Sequence, residues 1–194
     1  MAVRSQRREG VMTDAPKMTG MKIEKIHHVA YRCKDAKETV DWYGKMLNMD
    51  FVLAIAEDRV PSTGEPDPYM HLFLDAGDGN VLAFFELPTK PEMGKDPNTP
   101  VWVQHIAFKV KDRATLLAFK EHLEASGVEV LGVTDHSIFH SIYFFDPSGH
   151  RIELACPDPE EEKMLHRLDE VKWAMLEEWD RTKKAPKHAD WLHQ

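Results

Sequence analysis

Ile26-His27-His28-Val29-Ala30-Tyr31-Arg32 lies over Val103-Gln104-His105-Ile106-Ala107-Phe108-Lys109 once the two are aligned on His28 and His105. From the histidine onward both read His, aliphatic, Ala, aromatic, base. Five matching positions about 77 residues apart mark an internal duplication. Each stretch has the apolar and aromatic content of a strand, so the expected first strands are residues 23–32 and 101–110.

The segments after these two strands repeat as well. After the first, Asp35 with Glu38 three residues on predicts a capped helix carrying Val40, Trp42, Tyr43, Met46 and Leu47 at helical spacing. Three strands are then expected over 51–56, 69–75 and 80–87. The last two are joined by Gly77-Asp78-Gly79-Asn80, whose residues accept the positive φ of a tight hairpin. After the second come a helix over 112–126, stopped by Gly127, and strands over 128–133, 141–146 and 150–156. Residues 61–68 read as a proline-rich loop and 88–100 as a linker. The expected fold class is therefore α+β: two tandem βαβββ modules, about 21–90 and 101–157, in a domain spanning 21–157. Residues 1–20 lack hydrophobic periodicity and read as a disordered leader, with Met18 or Met21 as alternative starts. Residues 158–184 read as a charged amphipathic helix with Leu165, Leu168, Val171, Met175, Leu176 and Trp179 on one face, followed by a tail to 194. That helix packs on the domain or on a second subunit, which makes a homodimer compatible with it; the alternative is a cap that brings Trp191 and His193 to the site.

The formal net charge of −8 argues against nucleic-acid or anionic-membrane partners. No apolar run is long enough to span a bilayer, and Arg4, Arg7 and Arg8 are not followed by the apolar core of a signal peptide. Cys33 and Cys156 are too few for a disulfide framework, so a reducing cytoplasm is the expected location.

Strand alternation puts His28 on a face with Ala30, and His105 with Ala107. Each histidine thus has a small neighbour that leaves room for something other than a side chain. Pseudo-twofold symmetry predicts that the two approach one another. Glu153, between Ile152 and Leu154 in the last strand, would be a costly buried charge without a partner. Two imidazoles and a carboxylate form a facial triad that suits Fe(II), or next Mn(II), with open positions for substrate and dioxygen.

The paired modules, His28, His105 and the ending Asp146-Pro147-Ser148-Gly149-His150-Arg151-Ile152-Glu153 resemble the vicinal oxygen chelate superfamily, which includes glyoxalases, epimerases, extradiol dioxygenases, fosfomycin-resistance enzymes and bleomycin-binding proteins. The resemblance covers about residues 23–157 and implies a curved mixed sheet around a metal site. Asp135-His136-Ser137-Ile138-Phe139-His140-Ser141-Ile142-Tyr143, with Tyr143 ten residues before Glu153, is similar to the catalytic half of type I extradiol catechol dioxygenases. That resemblance implies a small aromatic diol and dioxygen as reactants. His136 would bond substrate or oxygen, Tyr143 would contact a catecholate oxygen, and His140 would assist in the same pocket. The further active-site histidine of those enzymes has no matching position here; Lys90 and His71 stand nearest. Two other readings are a glyoxalase- or epimerase-like enzyme with Glu86 as a fourth ligand, and a non-catalytic cup lined by Trp42, Phe84, Trp102 and Phe108. Matching the hairpin glycines Gly79 and Gly149 sets Ala83, not Glu86, against Glu153, which predicts a three-ligand site.

Overall fold

The computed structural model describes Gly20 and residues 23–193. Apart from Gly20, the leader expected over residues 1–20 lies outside the described residues. Contacts divide the chain into two compact units: Ile26–Asp158, and a second that contains Pro159–Gln194.

The first unit holds two modules of the same order. Module one runs β1 (Val29–Cys33), α1 (Ala36–Leu47), β2 (Phe51–Arg59), β3 (Pro66–Asp75) and β4 (Val81–Glu86). Module two runs β5 (Ile106–Lys109), α2 (Arg113–Ala125), β6 (Leu131–Asp135), β7 (Phe139–Phe145) and β8 (Arg151–Pro157). Each forms a four-stranded mixed sheet, ordered β1-β4-β3-β2 and β5-β8-β7-β6. The first and last strands of each module are parallel and the others antiparallel.

Both helices start by one device. The Asp35 carboxylate accepts the Glu38 N–H and that of Asp112 accepts the Thr115 N–H, satisfying amides that the helix itself leaves unpaired. The opening strands are shorter than the apolar runs predict. Pairing with β4 and β8 begins at Val29 and Ile106, so His28 and His105 each stand just before a strand. The segment after α2 starts its strand late because the Val128 N–H still bonds the Leu123 carbonyl at the helix end. In β6 the register shifts between Gly132 and Thr134, and Gly132 has φ 104°. A Cβ there would sit 2.7 Å from the Ser141 carbonyl oxygen, so only glycine fits against β7.

Alternation gives every strand two faces. One face of each sheet packs under the helices: Cys33, Leu72, Leu74, Leu82 and Phe84 in module one, Ile142, Phe144, Ile152, Leu154 and Cys156 in module two. Together with Tyr43, Leu116 and Leu123 they make one core shared by both modules. Each fully buried large side chain contributes about 1.5–3 kcal/mol. Polar ties lock the modules at the C-terminal end of β1. Tyr43 donates to Asp146 (3.1 Å), the Lys34 N–H to Ser148 Oγ (3.1 Å), and His150 Nε2–H to the Arg32 carbonyl (2.6 Å). The opposite face of each sheet carries His28, Ala30, Phe73, Ala83 and Phe85, or His105, Ala107, Ser141, Tyr143 and Glu153.

In the second unit α3 (Glu161–Thr182) buries none of its residues, and Leu176 and Trp179 on its apolar stripe are exposed. The Arg167 guanidinium lies over the Trp191 ring at 3.6 Å. No described helix is long and apolar enough to cross a membrane.

Candidate functional site

The richest cluster lies on the open face of module two. Parallel pairing sets Ala107 beside Glu153, and antiparallel pairing sets Tyr143 beside Glu153 from the other side. Glu153 is only 4% exposed. Such a carboxylate is stable only when its oxygens are bonded, and here they are divided by function. Ser141 Oγ and Tyr143 OH (3.1 Å) both donate to Oε1, while Oε2 faces His105 Nε2 at 2.9 Å. His136 Nε2 is 2.7 Å from Tyr143 OH. Because the Tyr143 hydrogen is given to Glu153, the line runs His136 N–H to Tyr143 O–H to Glu153. Burial, reinforced by the Glu153 carboxylate, raises the Tyr143 pKa above that of an ordinary phenol.

The His105–Glu153 contact bears directly on a metal. His105 Nδ1 is 3.0 Å from the Val103 carbonyl, which can only accept, so Nδ1 carries the hydrogen. In a neutral imidazole Nε2 then presents a bare lone pair to a carboxylate oxygen. Two lone pairs at that separation need a proton or a cation between them. Two ligands about 2.1 Å from one ion and at right angles to each other stand about 3 Å apart. The donor chemistry therefore fits a divalent metal, and the Nδ1 bond to a backbone carbonyl is how metal-binding histidines are oriented.

The other predicted residues are placed differently. His28 is on the module-one sheet, with its Nδ1 2.8 Å from His27 Nδ1 and its ring edge-on to His71 and Phe73. Among the described residues no group of three histidine, cysteine or carboxylate side chains is close enough to hold a metal. Symmetry predicts that His28 and His105 meet; instead the inter-module ties grip the far end of β1, and each histidine stands with its own sheet. His140 pairs in register with Cys156, on the helix side of β7 and opposite Tyr143. It therefore does not share the pocket with His136 and Tyr143, and its Nδ1 is 3.6 Å from Asp135. Glu86 is also on the helix side, where Oε2 accepts the Ala36 N–H at 2.7 Å. The position that corresponds to Glu153 is held by Ala83, which pairs with Ala30 as Glu153 pairs with Ala107.

Two further residues enter the site, and a third stands beside His28. Ser141, two before Tyr143, could have been found by alternation alone. Arg151, two before Glu153, lies over the Tyr143 ring at 4.1 Å and donates to the Trp102 carbonyl. His71 stacks on Phe85 at 3.6 Å beside His28, and its Nε2 is buried without a hydrogen-bond partner among the described residues. Burial, then the nearby His28, lowers its pKa, so it is neutral at pH 7.

A family model described as the Glyoxalase/Bleomycin resistance protein/Dioxygenase superfamily matches residues 25–154. The chain belongs to this superfamily. A Bacillus subtilis (strain 168) protein named "Putative ring-cleaving dioxygenase MhqA" is 28% identical over 141 residues, which are 71% of this chain and 42% of that protein. The chain thus spans well under half the length of that relative. The superfamily fold recurs in a glyoxylase/bleomycin resistance protein/dioxygenase domain from Frankia sp. EAN1pec, at 17% identity and TM-score 0.57 over 71% of this chain and all of that one. The fosfomycin resistance protein FosX of Listeria monocytogenes, solved with Mn(II) and sulfate, shares the fold at 20% identity and TM-score 0.51, over 73% of this chain and 99% of that one. Both likenesses are of fold alone.

Proposed function

We propose that this superfamily member is a metal-dependent dioxygenase of extradiol type, opening the ring of a catechol-like diol beside its hydroxyl groups. His28, His105 and Glu153 are the ligands of one divalent ion, Fe(II) first and Mn(II) second. Tyr143 and His136 handle protons. The observation that carries this reading is the hydrogen-bonded line from His136 through Tyr143 to Glu153, ending at the bare Nε2 of His105. The name of the Bacillus subtilis relative supports the reaction class, and FosX supports a divalent metal on this fold.

When bound, the ion would supply a Lewis-acidic centre able to take two vicinal substrate oxygens and dioxygen. With Ala83 opposite Ala30 and Glu86 occupied at a helix end, three protein ligands leave positions open for them. Ser141 and Tyr143 hold Oε1 and so keep Oε2 turned to His105. The raised pKa keeps Tyr143 protonated at neutral pH, so its one hydrogen can pass from Oε1, which Ser141 still holds, to an oxyanion developing on the diol. His136 is only partly buried, so it can replace that proton from solvent. The phenol ring packs against Arg151, which fixes the hydroxyl's position.

His28 reaches the site from a second copy of the chain in this reading. The apolar residues flanking the two histidines support that assembly: Ile26 is 67% exposed and Trp102 68%. A symmetric pair would cover both.

The first test is elemental analysis of anaerobically purified protein, then oxygen uptake with a panel of catechols. Iron or manganese with substrate-dependent uptake is expected. Zinc or nickel without uptake would replace ring cleavage with isomerase or lyase chemistry, and absence of metal would leave a binding module. The shared site has its own test: His28→Ala and Glu153→Ala are each inactive, and refolding them together restores one of the two sites in each mixed dimer. A fully active monomer would remove the second copy.

A further inference from the structure

A cavity of about 680 Å³ opens beside His105, between the 93–104 linker, the end of β1 and the β7–β8 turn. That volume is in the range of small-molecule sites. Its walls include Met93, Val103 and Phe145, and three cations, Lys34, Lys95 and Arg151.

Three cations gather around one recess in a chain that carries 33 acidic against 25 basic side chains. Lys37, Lys90 and Lys120 of the same unit have carboxylate partners. Among the described residues Lys34, Lys95 and Arg151 have none. Lys34 Nζ reaches only the Pro147 carbonyl (3.2 Å), Lys95 lies 6.0 Å from the centre of the Phe145 ring, and Arg151 holds the Trp102 carbonyl. Each retains N–H donors that these bonds do not use.

Two carboxylates also line the cavity, and both are already engaged. Asp96 accepts the Asn98 N–H (2.9 Å) and the Thr99 hydroxyl within its own turn. Asp146 is 5% exposed and accepts the His150 N–H (2.8 Å) and the Tyr43 hydroxyl. Neither bonds any of the three cations. The cavity is thus a cationic recess with apolar walls in an otherwise acidic protein.

We infer that this cavity seats a carboxylate on the arm of the substrate remote from its reacting end, with Arg151 the main partner and Lys34 and Lys95 completing the cradle. A guanidinium matches a carboxylate with two parallel N–H donors, and the two ammonium groups add charge without fixing direction. Arg151 is two residues before Glu153 on the same face of β8, and His105 borders the cavity. One molecule can therefore occupy the recess and reach the His105–Glu153 pair. Phe145, Val103 and Met93 would cover its apolar body. The identity of the reacting end as a diol rests on the proposed function; the anionic arm rests on the cavity alone.

The test is calorimetric titration of the full-length protein as purified with 3,4-dihydroxyphenylacetate and, separately, its neutral analogue 4-ethylcatechol. The carboxylate compound should bind about tenfold or more tightly, since hydrogen bonds to a charged group contribute about 1.5–3 kcal/mol. The preference should shrink with added salt. Arg151→Gln should remove most of it. Because Arg151 also packs on Tyr143, Lys34→Met with Lys95→Met is the companion variant, which should reduce the preference with an unchanged melting temperature. Equal binding of the two compounds, or a preference that survives both variants, overturns the inference. Inorganic phosphate competing as well as the carboxylate compound does so too, since it would indicate a general oxyanion recess. Phenylacetate, which lacks the diol, separates the two readings. Its binding without oxygen uptake on any catechol removes ring cleavage and leaves the carboxylate site standing. Ring cleavage with no preference for the charged compound does the reverse.

Discussion

The two modules are one scaffold with unequal content. Both open with a histidine two residues before an alanine, both cap their helix with an aspartate, and both turn into their last strand through a glycine, Gly79 and Gly149, at positive φ. Sheet register then shows where they part. Opposite the alanine of the first strand, module one has Ala83 and module two Glu153; beyond them stand Phe73 and Tyr143. Two residues further along the same strands come His71 and Ser141. Module two has become a hydrogen-bonded acid–base line, and module one an apolar wall with a histidine at its end. A duplicated scaffold needs only one copy of the polar chemistry, because each buried polar group must find its partners or cost stability.

Exchanging the residues that distinguish the halves tests this contrast. Glu153→Ala should have the largest effect: no stoichiometric metal, no turnover, and a folded protein by circular dichroism. Metal retained at one equivalent would move the ligand set elsewhere. The reciprocal change, Ala83→Glu, places a carboxylate at a fully buried position between Ala30 and Phe73, where His71 and Phe73 stand in place of the two hydroxyls that hold Glu153. It should lower unfolding free energy by about 2–3 kcal/mol in denaturant titration. A neutral result would mean that the wall is roomy or wet, and that the asymmetry is not one of packing. Tyr143→Phe makes module two resemble module one at the next position. It should leave metal content unchanged and lower kcat about a hundredfold, the lower range for a lost proton-transfer group. Equal falls in metal and rate would reduce Tyr143 to a support for Glu153.

Much of this architecture was legible in the residues, and the failures are instructive. The repeat, the helix caps and the opposed register of Ala83 and Glu153 follow from local patterns: the 3.6 period, a side-chain oxygen before the first turn, and two-residue alternation in strands. Alternation also puts His140, three residues from Tyr143, on the other side of β7; its nearness in sequence to His136 is misleading. Strand ends were less legible, because apolar composition does not reveal where a partner strand stops. The runs around His28 and His105 extend beyond the pairing that β4 and β8 offer. The approach of His28 to His105 that the repeat predicts is not found among the described residues, where no three such ligands come together. A repeat fixes what each module presents on its face. It does not fix whether that face closes on the neighbouring module or on one from another chain.

Glu86 sharpens the comparison from the helix side. It pairs with Cys33 at the end of β4 and accepts the first free amide of α1, where a negative charge is favoured by the helix dipole. Glu86→Ala should leave metal stoichiometry unchanged and cost about 1 kcal/mol in thermal or denaturant unfolding. Loss of metal would restore it as a ligand and favour isomerase chemistry. Module two has Cys156 at the equivalent position, and among the described residues the start of its helix is held by Asp112.

The smallest expected effect lies in the turns between the last two strands. Ala76 and Asp146 hold equivalent places, each N–H bonding a carbonyl four residues on, Asn80 in one and His150 in the other. Asp146 is nearly buried, and its bonds from Tyr43 and the His150 amide do not outweigh desolvation, so its pKa is raised. Proton linkage gives the sign. A carboxyl whose folded pKa is above its unfolded value binds protons more readily when folded. Its contribution is therefore fullest below the unfolded value, about 3.9, and is lost as pH rises through the folded one. Asp146→Asn lacks this dependence and keeps groups able to bond Tyr43 and the His150 amide. The melting temperature of the variant relative to the parent should therefore climb as pH is raised from about 3.5 toward neutrality, where the parent carries the buried charge. A difference that falls over the same range would mean that Tyr43 and His150 stabilise the carboxylate beyond its desolvation cost. The turn would then be a second polar investment peculiar to module two, and not a charge that this module tolerates in order to lock β1 against its last hairpin.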